Sequence, residues 1–154
     1  KLGSGTAPLS AFRAGGVATA VGTDGAASND RLDVLEELRF ACLLARAGAE
    51  RVGALSARDA LGMATHEGRL ALGLPKANVE VGDPADIVLV EVEGAHTAPR
   101  HDAASTLVFA SQSSDVTDVF VAGRPLLRER KLLAFDEERV QLEVARLAAR
   151  LRRN

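Results

Sequence analysis

The chain has 154 residues, 47% of them hydrophobic, and a formal net charge of -2. This length holds one ordinary domain or parts of two. The nearly balanced charge and an aromatic content of only 3% exclude the basic surface and stacking platforms typical of nucleic-acid-binding proteins. No segment approaches the roughly 18 consecutive apolar residues of a membrane helix, and the N-terminal residues lack the apolar core of a signal peptide. We therefore expect a cytoplasmic protein without a membrane partner, and the missing initiator methionine indicates a piece of a longer chain.

The N-terminal part alternates between helical and extended patterns. A helix is predicted over Pro8–Ala14, ended by a glycine pair. The small and β-branched run Val17–Val21 predicts a strand buried on both faces, as in a parallel sheet. A small-residue loop over Gly22–Asn29 comes next. Apolar residues at helical spacing then predict a helix over Asp30–Ala47, which Gly48 closes.

Beyond this helix the pattern changes to shorter elements. Ser56 predicts the N-cap of one helix, and Thr65 that of a shorter helix that ends at Leu72. A last helix begins after Asp136, with acidic residues at its positive end and arginines, including Arg153, at its negative end. Between them, runs rich in Val and Ile favour strands. The predicted strands are residues 78–81, 85–92, 106–110 and 115–121, and a hairpin joins residues 126–128 to 131–133.

The change of pattern near Ala77 gives the predicted domain organisation. Residues 1–76 form α/β material, residues 77–135 a small β domain, and residues 136–154 a C-terminal helix. A single strand of the buried parallel type cannot form a sheet alone. We therefore expect the sheet neighbours of residues 17–21 to lie outside this chain.

The candidate catalytic residue is Asp24, which follows the predicted buried strand within Gly22-Thr23-Asp24-Gly25. The carboxyl ends of parallel strands are where active sites assemble in barrels and doubly wound sheets. A carboxylate there suits a metal ion or general-base work on a metal-activated water. The same residues also occur in ordinary turns. Spacing alone therefore leaves open that Asp24 only accepts bonds from nearby backbone N–H groups.

Five ordered stretches carry a resemblance to a known family. The stretch Val21–Arg39 reads VGTDGAASNDRLDVLEELR and resembles the eighth-strand motif of the amidohydrolase superfamily. The nearest branch holds the chlorohydrolases and aminopurine deaminases, including S-adenosylhomocysteine/5'-methylthioadenosine deaminases. The other similar stretches are LGSGTAP at residues 2–8, ALGMATHEGRLALG at 60–73, VGDPADIVLV at 81–90 and DVTDVFVAGR at 115–124.

The resemblance implies a fold and a metal site. The chain would be the C-terminal part of a TIM-like (β/α)8 metal-dependent hydrolase barrel, with residues 77–135 in a small composite β-sandwich domain. The family holds a divalent metal, usually zinc, with iron as an alternative. Asp24 matches its aspartate ligand, which also relays the proton of the attacking water, and Ser28 matches a serine that contacts substrate. The family's histidine ligands have no counterpart here, because the chain contains no His-x-His, so they are expected in a missing N-terminal barrel portion.

The implied activity is hydrolytic deamination. A metal-activated water would attack a ring carbon of an aminopurine nucleoside-type small molecule, such as S-adenosylhomocysteine or methylthioadenosine, and ammonia would leave. An 8-oxoguanine deaminase and an s-triazine hydrolase or chlorohydrolase of the same fold are alternatives. A further alternative is that this chain alone is a catalytically inactive fragment. As partners we expect the small-molecule substrate, the N-terminal barrel portion and a homo-oligomer.

The remaining candidates for chemistry favour structural roles. We expect Cys42, which stands among apolar residues, to be a buried inert thiol. His66 is predicted at a helix start, His96 in a solvated loop, and His101 with a backbone partner. Their spacing predicts no zinc site of their own.

Overall fold

The computed structural model describes residues 2–49 and 53–152. The chain divides into two compact units, one of Lys1–Asp83 with Val90–Asp115 and one of Pro84–Leu89 with Val116–Asn154. The first unit is helical. Its helices are α1 Leu9–Ala14, α2 Val34–Ala49, α3 Ala57–Ala64, α4 His66–Ala71 and α5 Ala103–Phe109, with 3-10 turns at Ala95–Thr97 and Ser113–Asp115.

Helices α2, α3 and α5 enclose the hydrophobic core of the first unit. Burying such apolar side chains is the main favourable term in folding. The guanidinium of Arg46 on α2 lies 4.7 Å from the ring centre of Phe109 at the end of α5, which adds a cation–π contact between these two helices. The buried apolar residues are Leu38, Cys42, Leu55, Ala57, Ala60, Met63, Ala104 and Val108.

Helix α2 begins four residues later than the sequence predicts. The Asp33 carboxylate accepts a bond from the backbone N–H of Glu36 at 3.2 Å, and the carbonyl of Asp33 accepts from Glu37 at 3.2 Å. Asp33 therefore caps the helix. Asp30, where the sequence predicts the start, remains in the preceding loop.

Helices α3 and α4 confirm two predicted starts, although only one uses its side chain as a cap. Ser56 Oγ accepts from the backbone N–H of Asp59 at 3.1 Å. Thr65 precedes α4, but its hydroxyl donates back to the carbonyl of Leu61 at 2.7 Å, so it does not cap the helix.

The run Val17–Val21 is not a strand, which corrects the sequence prediction. Nothing within the described residues pairs with it as a neighbouring strand, and strand pairing needs such a neighbour. The segment lies against α3 and α4 instead. The N–H of Val21 donates to the carbonyl of Met63 at 3.4 Å. A Cβ on Gly68 would lie 2.6 Å from that carbonyl oxygen and 3.8 Å from the Cβ of Ala20, so only glycine fits there.

Two other predicted strands are also wrong. Residues 78–81 form a bend and turn, with Val79 and Val81 fully exposed. Residues 106–109 belong to α5 and Ala110 is its C-cap, because Asp102 caps a helix by accepting from the N–H of Ser105 at 2.8 Å. Ala104 and Val108 then bury one helical face, and this packing overrides the β preference of the Thr and Val side chains.

The second unit carries a four-stranded sheet in the order β1-β2-β3-β4 and a terminal helix. The strands are β1 Ile87–Val90, β2 Val116–Val121, β3 Arg124–Arg128 and β4 Lys131–Leu132. β2 and β3 pair antiparallel, as do β3 and β4, so the predicted hairpin is confirmed.

The terminal helix α6 spans Glu137–Leu151 after the predicted cap Asp136, whose carboxylate accepts from the N–H of Arg139 at 3.0 Å. Arg153, in the predicted basic end, lies outside the described residues. Across residues 2–49 and 53–152, no helix combines the length and apolarity that a membrane crossing requires.

The core makes a direct stability prediction. Leu38 is 1% exposed and Leu43, on the same helix, is 42% exposed. Leu38→Ala should lower the free energy of unfolding by about 2–5 kcal/mol, because it leaves a cavity between packed helices. Leu43→Ala, the matched control, should cost much less. Urea unfolding followed by circular dichroism measures both, and equal losses would contradict the assigned core.

Candidate functional site

Asp24 lies in a turn directly after the extended segment that rests on α3 and α4. Its carboxylate is exposed, and its backbone is left-handed with φ 59°. Aspartate tolerates this region better than most residues, because its short side chain can bond to nearby backbone groups. Non-glycine residues in this conformation are enriched at functional sites.

Both carboxylate oxygens of Asp24 accept a hydrogen bond within the turn. Oδ1 accepts from the backbone N–H of Gly25 at 2.6 Å, and Oδ2 accepts from the hydroxyl of Ser28 at 2.8 Å. These bonds stabilise the charged form. The Ser28 hydroxyl first, and the Gly25 amide second, therefore lower the pKa of Asp24 below its ordinary value of 3.8. Asp24 is an anion at neutral pH.

The Asp24 turn is tied to α2 through Asn29. The N–H groups of Ser28 and Asn29 both donate to the carbonyl of Gly25, at 3.1 and 3.0 Å. The side-chain amide of Asn29 donates to Glu37 Oε1 in the first turn of α2 at 2.6 Å. Sequence reasoning missed this contact, because a spacing of eight residues across a loop follows no helical or strand periodicity.

An open groove of about 460 Å³ lies beside the extended segment. Its lining is mainly apolar and includes half-exposed Phe12, Phe40 and Leu44. Residues 17–22 line it, so it ends two residues before Asp24, and Glu37 lines it too. The groove therefore adjoins the carboxylate but does not contain it.

Asp24 fits the role of one metal ligand. Each carboxylate oxygen has two lone pairs, and each accepts one hydrogen bond here, which leaves one lone pair per oxygen. Carboxylate oxygen is an ordinary zinc ligand. Nowhere in residues 2–49 and 53–152 do three or more His, Cys, Asp or Glu side chains gather closely enough to hold a metal ion. The described residues thus offer Asp24 as a candidate ligand and no complete metal site.

The three histidines lie apart from this turn. His66 is half-buried at the start of α4, as predicted. His96 is not merely a solvated loop residue, because its Nε2 lies 2.9 Å from Oδ2 of the buried Asp115. His101 is exposed, and within the described part of the chain no hydrogen bond joins it to the expected backbone partner.

Cys42 is fully buried, as predicted. Its Sγ lies 3.9 Å from the carbonyl oxygen of Ser56. Burial raises the pKa of the Cys42 thiol, and a protonated, inaccessible thiol is a poor nucleophile. Cys42 therefore belongs to the core and not to a reactive site.

Comparison with known protein families now decides the class of the chain. The model of the Amidohydrolase family matches residues 1–126, which include the Asp24 turn. The chain belongs to the amidohydrolase family. This result confirms the resemblance that the ordered sequence stretches indicate.

Named relatives and solved structures agree with this assignment. A 5-methylthioadenosine/S-adenosylhomocysteine deaminase of Halobacterium salinarum is 43% identical over 151 residues, 98% of this chain and 35% of that protein. The zinc-bound crystal structure of an adenosine deaminase from Xanthomonas campestris matches all of this chain and 36% of its own, with TM-score 0.94 and 38% identity. The atrazine chlorohydrolase of Arthrobacter aurescens complexed with zinc matches 95% of this chain and 33% of its own, with TM-score 0.85 and 32% identity.

The chain thus spans about a third of the length of the relatives it matches. Its helices and small antiparallel sheet coincide with part of the amidohydrolase fold, which confirms the predicted fold class.

The Asp24 turn predicts a measurable change of pKa. Ser28→Ala should raise the pKa of Asp24 toward 3.8, because it removes the strongest donor to the carboxylate. An NMR titration of the Asp24 carboxyl carbon measures it. The pKa of Asp24 is lower in the folded chain than in the unfolded chain. The two hydrogen bonds therefore contribute their whole stabilisation of the fold at pH values above the ordinary pKa of 3.8. This stabilisation is lost as the pH falls through the lowered pKa.

Thr23→Val is the matched control for this titration. The Thr23 hydroxyl donates to the backbone carbonyl of Asp24 at 3.0 Å and not to its carboxylate. This variant should leave the Asp24 pKa nearly unchanged. An unchanged pKa in Ser28→Ala, or an equal rise in Thr23→Val, would show that Ser28 does not hold the carboxylate.

Proposed function

We propose that this chain supplies the aspartate ligand of a zinc-dependent deaminase that acts on 5'-methylthioadenosine or S-adenosylhomocysteine. The observation that carries the proposal is the Asp24 carboxylate, kept anionic by Ser28 and Gly25 at the end of an extended segment. The named deaminase relatives, about 40% identical across nearly the whole chain, supply the substrate class.

Zinc, when bound, lowers the pKa of a coordinated water to about 7 and so makes it a nucleophile at neutral pH. Asp24 would hold the ion through one oxygen lone pair and take up the proton that the water releases. Its lowered pKa suits the first role best, because a weakly basic carboxylate stays charged at neutral pH. Ser28 orients the carboxylate, and its oxygen lone pairs remain available to a substrate N–H or O–H group.

We propose that the histidine ligands come from an upstream portion of the same barrel. The apolar groove beside residues 17–22 supports this, since half-exposed Phe12, Phe40 and Leu44 favour cover by further structure. Without that portion the chain would be inactive, in keeping with the one ligand that its described residues provide.

Exchange of Asp24 tests the proposed function. In the full-length protein that carries this chain, Asp24→Asn should lower kcat for deamination of methylthioadenosine by about 10²–10⁴-fold, because a neutral amide neither holds zinc well nor accepts the proton. Ammonia release, measured at saturating zinc, gives the rate. Asp30→Asn, which neutralises another carboxylate of the same loop, is the control and should leave the rate near that of the wild type.

The substrate class is tested with the same protein, by ammonia release from methylthioadenosine and chloride release from atrazine. The atrazine chlorohydrolase with TM-score 0.85 favours a triazine as the second candidate substrate. If the protein turned over atrazine and did not turn over methylthioadenosine, the proposed activity would be that of a chlorohydrolase and not of a deaminase. Near-normal turnover of either substrate by Asp24→Asn would overturn the role of Asp24.

A further inference from the structure

Asn29 is the junction between the Asp24 turn and the rigid part of the first unit. Its backbone N–H donates to the carbonyl of Gly25 at 3.0 Å, and so closes the turn that begins at Asp24. Its side-chain oxygen accepts from the N–H of Arg31 at 3.1 Å. Its side-chain nitrogen donates to Glu37 Oε1 at 2.6 Å. Asn29 thus holds the turn through its backbone, and its half-buried side chain connects the rest of the loop to helix α2.

Glu37 is a rigid support for this junction. The residue that follows it, Leu38, is 1% exposed in the core, so the first turn of α2 is fixed by packing. The other acidic residue of that turn, Glu36, reaches Nε of Arg31 at 3.2 Å, but the Arg31 side chain is 66% exposed. Exposed ion pairs contribute little. The half-buried bond from Asn29 to Glu37 is therefore the stronger tie between loop and helix.

We propose that Asn29 and Glu37 are a positioning pair that fixes the orientation of the Asp24 carboxylate for metal binding. The proposal rests on the proposed function, because it assigns Asp24 as the ligand. Neither residue touches the reacting atoms. Both act through the backbone turn. A displaced Asn29 loses its bond to the carbonyl of Gly25, the residue whose N–H binds Asp24 Oδ1, and leaves that carbonyl to the N–H of Ser28 alone. Groups that orient a metal ligand typically matter about 10- to 100-fold for metal affinity.

The polarity of the pair gives a reversal test. Asn29→Asp places a second carboxylate against Glu37, where like charges repel and no proton joins them. Adding Glu37→Gln restores a hydrogen bond between the two positions. Its direction is reversed, because the side chain at position 37 now donates and the new aspartate at position 29 accepts. The aspartate also keeps the oxygen that accepts from Arg31. A side chain that merely fills space would not show such a rescue.

Three measurements follow the rescue. In the full-length protein, competition with a chelator should show zinc affinity lowered about 10- to 100-fold by Asn29→Asp and largely regained in Asn29→Asp/Glu37→Gln. In the metal-free full-length protein, amide hydrogen exchange at positions 28 and 29 should rise about tenfold in Asn29→Asp and fall back in the double variant. The kcat for deamination should follow zinc affinity, with KM little changed.

Glu36→Gln is the matched control. It changes the neighbouring acidic residue of the same helical turn and breaks only the exposed pair with Arg31, so zinc affinity and exchange should stay at wild-type values. A double variant no better than Asn29→Asp, while Asp24→Asn still weakens zinc binding, overturns the pair and leaves the proposed function standing. Wild-type zinc affinity in Asp24→Asn overturns the proposed function itself.

Discussion

The packing of α2 against α3 is the interaction on which the rest of the first unit depends. Leu38 and Cys42 of α2 lie buried with Ala60 and Met63 of α3, and burial of these side chains fixes both helices. The loop that carries Asp24 is attached to one helix at each end. Upstream, the N–H of Val21 reaches the carbonyl of Met63 on α3, and downstream Asn29 reaches Glu37 on α2. The apolar core between α2 and α3 thus sets the position of the charged Asp24 side chain.

The Asp24 turn is well formed locally, although the described residues gather no complete metal-ligand set. The Asp24 carboxylate accepts hydrogen bonds from Gly25 and Ser28, which lie one and four residues after it in the chain. It therefore needs no distant partner to stay charged. A zinc site needs three or more protein ligands around one point, and the described residues hold no such group. The extended segment before Asp24 likewise lacks a paired strand among the described residues. The chain spans about a third of the length of its relatives, and the proposed zinc site needs ligands besides those of the described residues.

Local chemistry made much of the structure predictable from sequence. Ser56 and Asp136 are N-caps because each can bind an N–H three residues later, and the short hairpin follows from its two β runs. The family prediction is confirmed over residues 1–126. The sequence predictions failed where non-local contacts decide the structure. Helical packing of Ala104 and Val108 overrode the β preference of residues 106–110. The bonds of Asn29 to Glu37 and of His96 to Asp115 join residues whose spacing follows no helical or strand period. The domain boundaries, the homo-oligomer, the cytoplasmic location, iron as an alternative and substrate contact by Ser28 stay predictions.

The central claim is that Asp24 binds the catalytic metal. Anomalous diffraction at the zinc edge, from crystals of the full-length protein grown with zinc, locates the ion directly. The account predicts one zinc with a carboxylate oxygen of Asp24 at about 2.0–2.2 Å, and histidines from the upstream portion as the other protein ligands. A fully occupied zinc beyond bonding distance of Asp24 would contradict it.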